Sequence, residues 1–328
     1  MYEGTPDVAV LRGFAHGLPS TECAEALAEL APAYDVRVAR TRQEERKLVR
    51  EAPIVTGGSI DEELLELAEE LRLFACSSAG YNHLPLEALA ERNVAVTNAS
   101  GVHGPNIAEQ VIGFILAFAR RLPEGWRRQQ RREWRHFQSG ELYGSTVTVV
   151  GLGAIGQATV ERLEGFGVET IGVRYTPEKG GPTDEVIGFE TDDLHEALSR
   201  TDYLVLACPL TDTTRGLIGS AELETLPTDA VVVNVARGPV VDTDALLAAL
   251  RDNKLEGAAL DVTDPEPLPE DHPLWNLGNV LITPHNSGYT KDYWRRHAEI
   301  LARNLEQIEE TGSYDDLENL VLAPGGSP

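Results

Sequence analysis

Ser145-Thr146-Val147-Thr148-Val149-Val150-Gly151-Leu152-Gly153-Ala154-Ile155-Gly156 is a β-branched run that enters a glycine-spaced turn, and a helical pattern, Ile155–Leu163, leaves it. Strand, G-x-G-x-x-G and helix in that order predict a dinucleotide-binding loop at the edge of a parallel sheet. Gly151 permits the tight turn and Gly153 lets the backbone approach a pyrophosphate. Gly156 lets the helix lie close on the strand, with Ala154 and Ile155 between them. The helix N-terminus offers free amides to the phosphates.

Three further β-runs lie downstream. Ala230–Ala236 ends at Arg237, Gly257–Leu260 ends at Asp261 ahead of Glu266, and Asn279–Pro284 ends at His285. Parallel α/β sheets gather ligands at the carboxyl ends of their strands. The glycine loop, an arginine, a carboxylate and an imidazole are therefore expected along one edge.

Upstream, strand-like runs at Val8–Leu11, Val36–Ala39, Ile54–Thr56, Leu73–Cys76 and Val94–Thr97 alternate with helical patterns. Two such patterns are Thr21–Leu30, where Ser20 is expected to cap the first turn, and Glu62–Leu71 after Asp61. The alternation predicts βαβ units. Asn106–Arg135 is long and helical, with Pro123 dividing an apolar first half from an Arg-rich second half. The tail, Thr290–Thr311, is an amphipathic helix. The fold class is α/β, with two doubly wound parallel-sheet domains and a cleft between them.

The chain has 328 residues, with 53 acidic against 28 basic residues and a net charge of −25. Only Lys47, Lys179, Lys254 and Lys291 are lysines. Such a surface repels nucleic acid and anionic membrane, so the Arg-rich stretch is expected to pair with acidic surfaces of this chain or a second copy. At about 1 M salt the screening length is roughly 3 Å, and self-repulsion largely vanishes. A halophilic cytosol is the expected setting. No apolar run approaches the roughly 20 residues of a membrane helix, and the N-terminus lacks the basic start and apolar stretch of a signal peptide. Cys23, Cys76 and Cys208 form no CxxC pair and predict neither a disulfide framework nor a metal site. The expected location is cytoplasmic.

An NAD enzyme places an acid on the ribose diol at the end of the strand after the glycine loop. Here Glu169–Val173 leads into Arg174-Tyr175-Thr176. Arg174 can pair with a 2′-phosphate through its planar fork, and Thr176 can add a hydroxyl. NADP(H) is the expected preference, with NAD(H) also accepted.

Reduction of a 2-oxo acid requires that the carboxylate be held, the carbonyl polarised and a proton delivered. Arg237 can grip a carboxylate bidentately. His285 can give a proton to the developing alkoxide and take it back in reverse. Glu266 can hydrogen-bond the other ring nitrogen and orient the imidazole.

With these residues identified, the chain resembles the D-isomer-specific 2-hydroxyacid dehydrogenases, the group that includes D-lactate and D-glycerate dehydrogenases and glyoxylate/hydroxypyruvate reductases. The resemblance rests on Gly151–Gly156, Asn234-Val235-Ala236-Arg237-Gly238, Asp261 with Glu266-Pro267, Thr283-Pro284-His285, Thr97-Asn98 and Ala108-Glu109. It implies that Arg237, Glu266 and His285 are catalytic, and that Ser77-Ser78-Ala79-Gly80 is a substrate loop whose amides, with Ser78, Ala79 and Gly80 foremost, meet the carboxylate. It implies that Cys208, Pro209 and Thr213 line the adenosine half of the cofactor, and that Val235, Ala236, Asp261 and Gly288 border the nicotinamide. It further implies a flavodoxin-like substrate domain, residues 1–100 plus 289–328, with a Rossmann cofactor domain, 101–288, inserted into it. Hinge closure around the ligands and a homodimer built through the helical arm complete the family expectation. The expected reaction is NAD(P)H-dependent reduction of a small 2-oxo acid to its D-2-hydroxy acid. The competing reading is a non-catalytic NAD(H)-sensing interaction protein of the corepressor type, distinguished by turnover.

Overall fold

The structure is a computed structural model that describes residues 5–326. The chain divides into two compact units, one containing residues up to Val102 and again from Tyr289, the other comprising His103–Gly288.

The first unit holds a six-stranded sheet in the spatial order Val36–Val38, Val8–Val10, Ile54–Gly57, Leu73–Cys76, Ala95–Thr97 and Leu320–Leu322. The first five are parallel, in the flavodoxin-type order 2-1-3-4-5. Leu320–Leu322 adds an antiparallel edge strand. Burial on both faces explains why Ile54–Gly57 and Leu73–Cys76 are continuously apolar or small rather than alternating. On one face, helix Tyr293–Thr311 packs Ala298, Leu301 and Leu305 with Leu27, Val8 and Leu73. On the other, Phe74, Val55 and Val96 meet Leu48, Leu64, Leu65 and Leu89.

Two caps in this unit illustrate local control. Asp61 accepts from the Leu64 N–H at 2.9 Å and starts helix Glu62–Leu67. Ser20 does not cap Thr21–Leu30 with its side chain, contrary to the reading of the sequence. Its backbone is already helical (φ −63°, ψ −11°) and its carbonyl takes the first helical bond, from Ala24.

The second unit holds a seven-stranded parallel sheet ordered Glu185–Ile187, Glu169–Val173, Thr146–Val150, Tyr203–Leu206, Val231–Asn234, Gly257–Leu260 and Val280–Ile282. The order 3-2-1-4-5-6-7 extends the dinucleotide-binding topology. Helix Gly104–Ala119 covers one face, where Ile107, Val111 and Ile115 pack with Val147, Val149, Val160 and Leu163. A break at Arg121, in the left-handed conformation, precedes helix Leu122–Gln130. That helix ends before the residues the sequence suggested, so Arg131, Arg132, Trp134 and Arg135 lie beyond it. Arg128 pairs with Glu124, Arg131 with Glu133 and Arg121 with Glu256. Among the described residues no helix is long and apolar enough to cross a membrane.

Candidate active site

Strand register levels the second unit's chemistry. Asn234, Leu260 and Ile282 sit side by side on neighbouring strands. Arg237 lies three residues beyond Asn234, Asp261 one beyond Leu260, and His285 three beyond Ile282. Two strand spacings of roughly 4.8 Å separate the first and third chains, about 10 Å in all, a gap on the scale of a small organic acid.

His285 has φ +50°, a left-handed conformation that a non-glycine residue adopts only when its surroundings fix it. Buried Asp261 supplies that fixation. Its carboxylate accepts from the Thr283 and Ser287 hydroxyls and from the N–H groups of Asn286 and Ser287, and its carbonyl accepts from the His285 N–H at 2.8 Å. Asn106 donates to the Ser287 carbonyl at 2.6 Å, and His103 Nδ1 donates to that of Gly288 at 3.2 Å. The imidazole of His285 meets Glu266 through Nδ1 and Oε1 at 2.6 Å. Both side chains remain exposed. Nε2 has no hydrogen-bond partner among the described residues, so it is the ring atom open to an incoming group.

Arg237 is exposed and ends a turn that buried Asn234 organises, donating to the Arg237 carbonyl and accepting from the Ala236 N–H. The next residue must be glycine, because a Cβ on Gly238 would lie 2.0 Å from the Thr263 carbonyl oxygen. That close approach ties the arginine turn to the segment leading to Glu266.

The glycine loop has the shape its sequence suggests. A Cβ on Gly156 would stand 1.9 Å from the Gly151 carbonyl oxygen, whereas one on Gly153 would meet nothing within 4 Å. Helix Ala154–Leu163 has no side-chain cap, so its first amides face open space beside Gly153. These residues fit a dinucleotide pyrophosphate. Buried Cys208 packs its backbone against Gly151. Beyond Pro209 the buried residue is Thr214, whose hydroxyl donates to the Pro209 carbonyl, while Thr213 is exposed. Val235 and Ala236 are buried at the next strand end. At the end of Glu169–Val173, Arg174 donates to the Gly180 carbonyl, with Tyr175 largely exposed and Thr176 half-buried.

In the first unit, all three carbonyls of Ser77, Ser78 and Ala79 are engaged. They accept from the Tyr293 hydroxyl, the Ala99 N–H at 3.1 Å and Asn98 Nδ2 at 2.7 Å. Burial pushes the Tyr293 phenol up to about 12, so it stays a donor. Ser78 N–H turns to Cys76 Sγ at 3.4 Å. The N–H groups of Ala79 and Gly80 have no partner among the described residues. A loop whose carbonyls are all held leaves its amides for an anion. Ser287 was not singled out from the sequence, and Asn98 and Asn234 entered there only as members of motifs, without the roles they hold here. Only the fold brings Tyr293 to Ser77, 216 residues away.

Relatives of known family share this chain's sequence and fold. The D-isomer specific 2-hydroxyacid dehydrogenase NAD binding domain family matches residues 112–287. A glyoxylate reductase from Thermofilum pendens is 38% identical over 253 residues, covering 75% of this chain and 74% of that protein. A D-3-phosphoglycerate dehydrogenase from Methanocaldococcus jannaschii is 35% identical over 296 residues, 88% of this chain. The match spans 55% of that longer relative. A solved D-isomer specific 2-hydroxyacid dehydrogenase from Xanthobacter autotrophicus Py2, in complex with NADPH and MES, shares 27% identity with a TM-score of 0.74, covering 97% of this chain and 98% of that one.

Proposed function

Because the chain belongs to the D-isomer specific 2-hydroxyacid dehydrogenase family, we propose that it reduces a small 2-oxo acid to the D-2-hydroxy acid, reversibly, with a nicotinamide cofactor. The observation that carries the reading is the contact between His285 and Glu266 at the strand edge that also presents Arg237 and the glycine loop.

The bound nicotinamide supplies the hydride. Arg237 pairs with the substrate carboxylate and withdraws charge from the adjacent carbonyl. His285 delivers a proton from Nε2 to the oxygen as negative charge develops there, and recovers it in the oxidative direction. Glu266 accepts from Nδ1, which fixes the ring and stabilises the imidazolium. Asp261 acts on the chemistry by fixing the loop from Thr283 to Ser287, and so the angle at which His285 stands. The amides of Ala79 and Gly80 are proposed to bind a carboxylate in the first unit.

NADP(H) is the proposed preference, NAD(H) a second cofactor. The support is the absence of a carboxylate at Arg174-Tyr175-Thr176. A second copy of the chain is the proposed cover for the arm, where Trp134 is fully exposed and Trp126 68% exposed. Light scattering should give twice the chain mass. The net charge of −25 supports a high-salt habitat. Melting temperature should rise steeply from dilute buffer to molar KCl, and a flat response contradicts that assignment.

The direct test is cofactor oxidation at 340 nm in molar KCl. Pyruvate, glyoxylate, hydroxypyruvate and branched 2-oxo acids are each offered with NADPH and NADH. Turnover supports the reductase. Silence across the panel, with tight cofactor binding, would transfer the assignment to a cofactor-sensing protein.

A further inference from the structure

A cavity of about 240 Å³ opens in the first unit, with walls that include Arg12, Thr56, Gly58, Ser77, Ser78 and Tyr293. Arg12 follows strand Val8–Val10 by two residues, and Gly58 and Ser77 each follow the next two strands by one. The cavity therefore sits at the carboxyl edge of that sheet, continuous with the loop that carries the free amides of Ala79 and Gly80.

We propose that this cavity receives the distal end of the substrate and that Arg12 pairs there with a second anionic group. The preferred substrates are then 2-oxo acids that carry a further carboxylate or phosphate. The proposal rests on reading the 78–80 loop as the site of the first carboxylate.

Glu45 is what makes Arg12 a built feature. This carboxylate is buried, accepts from the Arg12 main-chain N–H at 3.0 Å through Oε1, and stands 3.2 Å from Arg12 Nε through Oε2. Gripped at backbone and Nε together, the arginine loses the freedom it would otherwise give up on binding. Its side chain nevertheless stays 46% exposed, and no hydrogen bond among the described residues holds its two terminal nitrogens. The end of the fork is left for an anion, which it can meet bidentately.

The other cation at this cavity is committed elsewhere. Arg42 contacts Glu45, Asp61 and Glu63 at 3.3, 2.6 and 2.8 Å. Asp61, which also lines the cavity, is occupied by Arg42 and by the Leu64 N–H. Arg12 is thus the group whose pairing remains incomplete. A neutral substrate side chain would gain nothing from it.

The test compares kcat/KM for glyoxylate, 2-oxoglutarate and 3-phosphohydroxypyruvate with saturating NADPH, at the lowest KCl that keeps the protein folded. Wild type should favour one of the two acids that carry a second anionic group over glyoxylate by at least about tenfold, and the better one identifies that group as carboxylate or phosphate. Arg12→Gln should lower that preference by about ten- to a hundredfold, the scale of one charged hydrogen-bonded pair. Arg12→Lys should retain more of it than the glutamine. The proposal is overturned if glyoxylate is the best of the three in wild type, or if Arg12→Gln, with an unaltered melting temperature, slows all three equally. Silence with every acid despite NADPH binding removes the reductase reading itself, and this proposal with it.

Discussion

Nδ1 of His285 stands 2.6 Å from Oε1 of Glu266. The two residues lie 19 positions apart and reach each other because Glu266 comes from the segment after Gly257–Leu260 and His285 from the end of the neighbouring strand, Val280–Ile282. A carboxylate held on one ring nitrogen leaves the other to exchange a proton with substrate. Glu266→Gln preserves the shape but removes the charge. It should lower kcat by about tenfold or more, the loss of one charge-assisted hydrogen bond, with cofactor affinity intact. Steady-state kinetics with titrated NADPH checks this, and an unaltered kcat would separate Glu266 from the chemistry.

Arg237→Lys keeps the positive charge and loses the planar fork. Its effect should fall on the 2-oxo acid, with kcat/KM reduced by about ten- to a hundredfold for loss of a bidentate charged contact. Fluorescence titration with NADPH should give the wild-type affinity. Equal kinetics for the two proteins would remove Arg237 from the site.

Arg174→Asp should move cofactor preference toward NADH. A carboxylate there repels a 2′-phosphate and can accept from ribose hydroxyls. The ratio of kcat/KM for NADPH to that for NADH should fall by at least about tenfold. A constant ratio would show that the 2′-phosphate is not read at Arg174.

His297 makes a separate prediction about stability. It is fully buried, its Nε2–H donates to Thr56 Oγ1 at 2.8 Å, and its Nδ1 has no partner. Burial pulls its pKa down from 6.5 to about 4. Between those values the unfolded chain takes up a proton that the folded chain refuses, so stability falls as pH drops through that window. The contribution is present above pH 6.5 and amounts to about 3 kcal/mol at most. His297→Gln retains a donor to Thr56 and does not titrate. Urea melts at pH 7 and pH 4.5 should show a smaller loss for the variant, and equal losses would contradict the assignment.

What could be read from the sequence was local. The glycine loop, Arg237 and His285 announce themselves because each follows a β-branched or apolar run within a few residues, and a parallel sheet places such ends together. The supports are not local. Asp261 invites a cofactor reading by its position, yet both carboxylate oxygens are turned to the loop of His285, which is visible only once Ser287 has folded back over it. Ser20 has the identity of a cap, but the helix already begins in its own backbone. Leu320–Leu322 is too short to be read as a strand, and forms one because Ala95–Thr97 presents an unpaired edge. The orientation of the 77–80 loop depends on Tyr293, from the far end of the chain.

Single-turnover reduction of glyoxylate by enzyme preloaded with NADPH, compared between wild type and His285→Ala, addresses the reaction most directly. Proton delivery by His285 predicts a rate lower by about 10²–10⁴ in the variant, with NADPH still bound. Equal rates for the two proteins would contradict it.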